Sequence, residues 1–214
     1  MLELGVKLLL AYLLGTLLGS LLLGRLRGVD IRDMGSGNAG ATNALRTQGK
    51  LFGFLVLLVD IAKGLFAVWW LPSAVLPGVG VDPQLPRDWL TAACGFAVIV
   101  GHVYPVWFSF RGGKGAATVV GVIAAADPWL ILPMVVSWFI VLVLTGYVGL
   151  ATMLSGVALV IVVGIVEPHN SALLSFCALV AGFIIYTHRG NIARMRAGQE
   201  NRVRRLWLFR SRTA

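Results

Sequence analysis

Three short polar stretches interrupt an otherwise apolar chain of 214 residues. The central one, GHVYPVWFSFRGGKGAAT at 101–118, ends a hydrophobic run in His102, Arg111, Gly112, Gly113, Lys114, Gly115 and Thr118. A Gly-Gly-Lys-Gly corner offers backbone N–H groups and an ammonium together, which suits a phosphate or another oxyanion. The first stretch carries Gly35, Ser36, Gly37, Asn38, Gly40, Thr42 and Asn43, followed by Arg46. A solvated turn rarely needs so many small donors ahead of an arginine, so it reads as a second oxyanion cradle. The third stretch is HRGNIARMRAGQE at 188–200. In helical form it puts His188, Asn191 and Arg194 on one face, with Ile192 and Met195 on another.

Several familiar chemistries are excluded. Residues 35–40 match the dinucleotide pattern G-x-G-x-x-G, but that fingerprint needs a strand before it and a helix after it, and here a long apolar segment precedes it. Lys114 is followed by Gly115 rather than Ser or Thr, and no glycine lies five residues before Gly113, so this is not an ATP-binding P-loop. There is no H-E-x-x-H, no Cys/His zinc spacing and no G-x-S-x-G, and no metal or cofactor is expected. Cys94 and Cys177 sit in apolar runs as packing residues. His102 reads equally as a base, a donor or a satisfied packing group, and His169 is given no role. Asp60 and Lys63, at i and i+3 inside an apolar segment, should pair and face the interior, orienting a helix.

The elements that must position these groups follow from composition. The chain is 58% hydrophobic and 13% charged, against about 25% charged in a soluble domain. That defines a polytopic membrane protein. Apolar segments are predicted at 2–24, 51–71, 89–108, 129–145, 148–166 and 171–187. A shorter one at 115–126 is either shielded by its neighbours or re-entrant. Residues 25–50 and 72–88 read as loops, and Gly15 and Gly19 as a close-packing pair. Glu3 precedes Lys7 and no small-x-small site follows the first segment, so no cleavable signal is expected. The net charge is +9, and it is not spread as a nucleic-acid groove would need. With seven spans and the N-terminus outside, the cytoplasmic loops 25–50 and 109–114 and the tail from 188 hold fifteen of the eighteen Lys and Arg residues. Six spans would put the Arg-rich tail outside, against the positive-inside rule. The expected architecture is an all-α bundle of seven transmembrane helices, one short, forming a single domain over 1–214 with a cytoplasmic C-terminus. The tail RVRRLWLFRSR at 202–212, with Trp207 and Phe209, is expected to lie on anionic membrane lipid.

Taken in order, DIRDMGSGNAGATNALR at 30–46, the 101–118 stretch and HRGNIARMRAGQE resemble the bacterial acyl-phosphate-dependent glycerol-3-phosphate acyltransferases, the PlsY family. AYLLGT at 11–16 and DIAKG at 60–64 add to the likeness, which covers nearly the whole chain. The resemblance implies seven transmembrane helices with an active site open to the cytoplasm. It implies transfer of an acyl group from acyl phosphate to sn-glycerol 3-phosphate at the bacterial inner membrane. On that basis the Gly35–Thr42 loop and the Gly112–Gly115 corner are expected on the acyl phosphate. Arg46, Lys114, Asn191 and Arg194 are expected on the glycerol phosphate or the departing phosphate, with Ser36, His102, Lys114 and Asn191 at the reaction centre. The base is either His102 or the acyl phosphate's own oxygen. No histidine is followed at i+5 by Asp, the pair many thioester-using acyltransferases carry. Two departures stand out. Thr16-Leu17-Leu18 replaces the family's Ser-Ile-Pro, so a kink is expected to be lost or moved. In the turn at 145–152, Gly146 and Gly149 replace a cation and a hydroxyl, leaving Thr152 as the candidate there. A monomer is expected, and a transporter of a phosphate-bearing solute or lipid is the competing reading.

Overall fold

The computed structural model describes residues 1–204 and 206–208, and among these it holds ten α-helices and no strand. The chain falls into two compact units, Met1–Pro128 and Trp129–Ala214.

In the first unit, α1 (Leu2–Gly15) and α2 (Gly19–Leu26) are bent by 45° at the break between them. The continuous apolar segment expected at 2–24 is therefore two helices, and the kink stands at Thr16–Leu18 without a proline. The physical reason is side-chain capping from α4 (Lys50–Trp69). Lys63 Nζ donates to the Gly15 and Leu17 carbonyls at 2.7 and 3.1 Å, and the Gly19 N–H donates to Asp60 Oδ1 at 3.3 Å. A cation thus sits on the carbonyl end of α1 and an anion on the N–H end of α2, each where the helix dipole favours it. Lys63 and Asp60 pair with each other at 3.2 Å, both buried.

The stretch 25–50 is not all loop. A short 3-10 turn at Ile31–Asp33 leads into the eight-residue α3 (Ala41–Gln48), whose Asn43 and Ala44 pack inward. At 20 residues α4 is long enough for about 30 Å of hydrocarbon. α5 (Arg87–Val103) continues into a 3-10 turn at Val106–Phe108. The short apolar segment is α6 (Ala116–Ala126), and it is shielded by α4. Gly64 meets the Thr118 carbonyl and Gly121 meets the Ile61 carbonyl, so the two backbones approach with no side chain between them. Gly15 meets the Val98 carbonyl and Gly101 of α5 in the same way, while Gly19, across the break in α2, meets Val56 and Val59 of α4, so the two expected packing glycines serve different neighbours.

The start of α5 and the loop before it are tied to α1 through Glu3. Glu3 accepts from Lys7 at 2.8 Å, from Arg87 Nη1 and Nη2 at 2.6 and 3.0 Å, and from the Asp82 N–H at 2.8 Å.

In the second unit α7 (Ile131–Thr145), α8 (Val148–Val166) and α9 (Ser171–Thr187) follow the expected boundaries closely. Asn170 starts α9 by accepting the Leu173 N–H at 3.1 Å. Leu132, Val135, Val136, Phe139 and Ile140 leave an exposed apolar face on α7, as a lipid-facing helix should. α10 (Arg189–Arg196) departs from α9 at 52°. The described part of the tail docks on this unit. The Val203 and Leu208 N–H groups donate to the Gly146 and Val143 carbonyls at 2.8 and 2.9 Å. The Arg202 guanidinium lies 4.5 Å from the Tyr147 ring centroid and 4.1 Å from that of Trp207. Arg205 and residues 209–214, also part of the expected lipid-bound tail, lie outside the described residues.

Candidate active site

In the first unit the glycine-rich loop is built around one side chain. Asn43 is buried, and its Oδ1 accepts the Ser36 N–H at 3.0 Å. Its Nδ2 donates to the carbonyls of Ile31, Met34 and Asn38 at 2.9, 2.9 and 3.1 Å. All the hydrogen-bonding capacity of its amide nitrogen is spent inside the loop. Asn43, expected as a phosphate donor, therefore shapes the cradle from within. Gly35 must be glycine here, since its φ is +57° and a Cβ would collide with Asn43 Oδ1. The outward-facing members of this loop are Gly35, Ser36, Gly37, Thr42 and Arg46, all exposed.

The second loop folds back on the end of α5. Gly112 and Gly113 donate their N–H groups to the Val103 and His102 carbonyls at 3.0 and 3.1 Å. A Cβ on Gly113 would strike His102 Nε2, with both neighbouring ring carbons farther off, so the imidazole turns its Nε2 edge toward that glycine. Lys114, half-buried, follows directly, and Gly115 starts α6. Thr118 does not join this surface. It is fully buried against α4, and its Oγ1 has no hydrogen-bond partner among the described residues.

The sequence reading passed over the residue that joins the two loops. Arg32 donates through Nη1 to the carbonyls of Phe108 and Arg111, both at 3.1 Å. Its remaining nitrogens bind Asp30 at 2.6 to 3.0 Å. Arg25 lies 4.9 Å from the Phe108 ring centroid. The Arg32 guanidinium holds the Asp30 carboxyl below its ordinary range, so this staple is ionised at neutral pH. The available signal was Asp30 and Arg32 at i and i+2 ahead of the glycines, but nothing in the sequence names the two carbonyls that receive Arg32.

The second unit has a polar cluster of its own. Glu200 accepts from Asn191 Nδ2 at 2.7 Å and from Arg194 Nε at 2.6 Å. Asn191 and Arg194 therefore do share a side of α10, as their spacing predicts. His188 is buried, with Nδ1 2.8 Å from the Ile184 carbonyl. Thr152 donates to the Val148 carbonyl at 2.9 Å and accepts Trp138 Nε1 at 3.2 Å, so its hydroxyl is engaged within the α7–α8 pair. Gly149 leaves the space that the Asn191 side chain fills. Glu200 was also missed, although it is the one acid in an arginine-rich tail.

Fold and site together define an integral membrane protein with glycine-rich polar loops between its apolar helices. Comparison with known proteins gives the particular family. A family model described as glycerol-3-phosphate acyltransferase matches residues 6–198, and the chain belongs to that family. A glycerol-3-phosphate acyltransferase of Laribacter hongkongensis is 41% identical over 198 residues, covering 92% of this chain and 94% of that protein. One of Geotalea daltonii is 39% identical over 191 residues, covering 89% and 93%. The crystal structure of PlsY (YgiH), an integral membrane glycerol 3-phosphate acyltransferase in its glycerol 3-phosphate form, superposes with a TM-score of 0.81 at 35% identity. It covers 93% of this chain and 94% of that one. The same protein in its lysophosphatidic acid form gives 0.79 at 34%. The chain is thus a multi-pass membrane acyltransferase of the PlsY family, as its polar motifs indicated.

Proposed function

We propose that this protein moves a fatty acyl group from acyl phosphate to sn-glycerol 3-phosphate, giving 1-acylglycerol 3-phosphate and inorganic phosphate. The observation that carries this reading is the pair of glycine-rich loops stapled side by side by Arg32. Ser36, Thr42, Arg46 and Arg111 are exposed and Lys114 is half-buried, and in this reading the Arg32 staple lets them serve one site. Each substrate brings a phosphate of roughly −1.5 to −2 charge. Joining two of them needs several cations and fixed N–H donors. The Gly35–Thr42 loop and the Gly112–Gly115 corner take the acyl phosphate in this reading. Arg46, Lys114, Asn191 and Arg194 take the glycerol phosphate or the phosphate that leaves. The PlsY protein solved in both glycerol 3-phosphate and lysophosphatidic acid forms supports this choice of acceptor and product.

The glycerol hydroxyl attacks the acyl carbonyl directly, and the C–O bond to phosphate breaks as the ester bond forms. An acyl phosphate is already activated, so no covalent enzyme intermediate is needed. His102 is only 2% exposed and its Nδ1 lies 2.8 Å from the Lys63 ammonium. That favours the departing phosphate oxygen as the base that receives the hydroxyl proton, with the protein supplying position. The test is a purified-protein assay with matched donors. Acyl phosphate should support turnover, while acyl-CoA and acyl carrier protein should not. Robust activity on acyl-CoA alone would overturn the donor assignment.

The enzyme is further proposed to act as a monomer in the bacterial cytoplasmic membrane, with seven spans, the N-terminus outside and loop 25–50 and the tail from 188 inside. Counting each bent pair as one span and adding α6 to the four long helices gives that number. A single cysteine placed at Gln84 should be labelled from outside intact cells and one at Gln48 should not. The opposite pattern would invert the model.

A further inference from the structure

Asp60, Lys63 and His102 form a cluster in the first unit that is 1%, 4% and 2% exposed, and the reaction as described does not use it. Three distances define its logic. Lys63 Nζ is 2.8 Å from His102 Nδ1, and Asp60 Oδ1 is 3.5 Å from the same ring nitrogen. The second separation is too long for a good hydrogen bond, so the ammonium is the ring's partner. An ammonium has donors only. Nδ1 therefore presents its lone pair, and the neutral ring carries its proton on Nε2. Nε2 is the atom that lies against Gly113. Asp60 balances the charge of Lys63 at 3.2 Å and leaves the ring neutral.

The other two donations from Lys63 go to Gly15 and Leu17, at the break between α1 and α2. One ammonium thus connects that break to the imidazole. The imidazole residue in turn holds the glycine corner twice, through its carbonyl to the Gly113 N–H and through its ring to the Gly113 Cα face. Lys114 is the next residue.

We propose that Lys63 and Asp60 are positioning residues for the acyl transfer: they fix His102 as an Nε2–H tautomer against Gly113 and so set the place of Lys114. This rests on the reading of the 111–115 corner as a phosphate site. It goes beyond that reading by giving the intramembrane ion pair a task in the reaction and by making His102 a donor-bearing support, unable to serve as a base.

The test combines a spectroscopic signature with a rescue. The chain has three histidines, so 15N-histidine labelling in micelles gives a readable long-range 1H–15N spectrum. His102 is assigned by the signal missing from His102→Gln. The wild-type ring should show the Nε2–H pattern from pH 6 to 8. The double variant Asp60→Asn/Lys63→Met removes both charges together, which avoids stranding one of them in the core. It should show a mixture of tautomers and about a ten-fold lower kcat, the size of one lost hydrogen bond. His102→Gln places an amide N–H near the position of Nε2 and has no basic nitrogen. It should retain activity within a few-fold of wild type, while His102→Ala loses about ten-fold. An Nδ1–H or doubly protonated wild-type ring, or a Gln variant as poor as the Ala variant, overturns the proposal. If the double variant does not fold, the wild-type spectrum and the Gln/Ala comparison still decide. Failure of the wild-type enzyme on acyl phosphate would instead count against the proposed reaction, and the tautomer would be read independently of it.

Discussion

Lys114→Ala is expected to lower kcat/KM by at least about ten-fold while leaving the thermal melt in place. The lysine sits between two buried glycines, Gly113 and Gly115, and is itself only half-buried, so truncation removes little core. Charge-assisted hydrogen bonds are worth about 1.5–3 kcal/mol, and about 1.4 kcal/mol corresponds to one decade in rate. Lys114→Arg should recover only part of the loss. A planar fork does not reproduce a compact ammonium in a corner shaped by three glycines. Steady-state kinetics beside a melt on detergent-purified protein separates the outcomes. Unchanged kinetics would move the phosphate site elsewhere, and a collapsed melt would make the lysine structural.

A larger loss is expected from Gly112→Ala. A Cβ there would collide with the His102 carbonyl and would lie 2.7 Å from Pro105 Cδ and 2.8 Å from the Val103 carbonyl. Those oxygens belong to the end of α5 and receive the Gly112 and Gly113 N–H groups. They cannot step aside without unwinding that end. Overpacking of this kind costs about 1–3 kcal/mol, and a shift of about 1 Å at a reacting group costs about 100-fold in rate. We expect about a 100-fold drop in kcat/KM together with a lowered melt. Gly5→Ala is the matched control. Nothing lies within 4 Å of a Cβ at that position in α1, so activity should be unchanged and the melt equal or higher. A Gly112→Ala enzyme with wild-type kinetics would mean that the corner has slack the structure does not show.

The long helices were legible because hydrocarbon selects by length and composition. α4, α8 and α9 begin and end within two residues of the segments read from the sequence. The inward pairing of Asp60 and Lys63 followed from the cost of a lone charge in lipid. What the sequence hid were contacts between residues far apart in the chain. The kink at Thr16–Leu18 looked lost because its usual proline is missing, but the cause of the break is a lysine and an aspartate more than forty positions later. α3 was read as loop because ATNALRTQ is polar and short, and only its docking of Asn43 and Ala44 makes it a helix. Within the candidate site the residue types were readable and their division of labour was not. Ser36 and Asn43 look alike as donors in the sequence, yet one faces out and the other is the hub that holds the loop. Arg32 and Glu200 were invisible as organisers because their partners are backbone carbonyls in one case and a helix face in the other.

The plug at the α1–α2 break also bears on how the protein is made. α1 and α2, at 14 and 8 residues, are each too short to cross about 30 Å alone. The groups that satisfy the exposed backbone between them arrive only with α4, and His102 later still with α5. A nascent chain paused before residue 60 therefore has a first span with bare carbonyls and N–H groups at its middle, a poor tenant for lipid. The i, i+3 spacing lets Asp60 and Lys63 neutralise each other as they enter, before their backbone partners are reached. Stable insertion of the first span is thus deferred until α4 has followed it, about a third of the way along the chain. Its two ends and the helix that completes it should leave the insertion machinery together, as one cooperative piece.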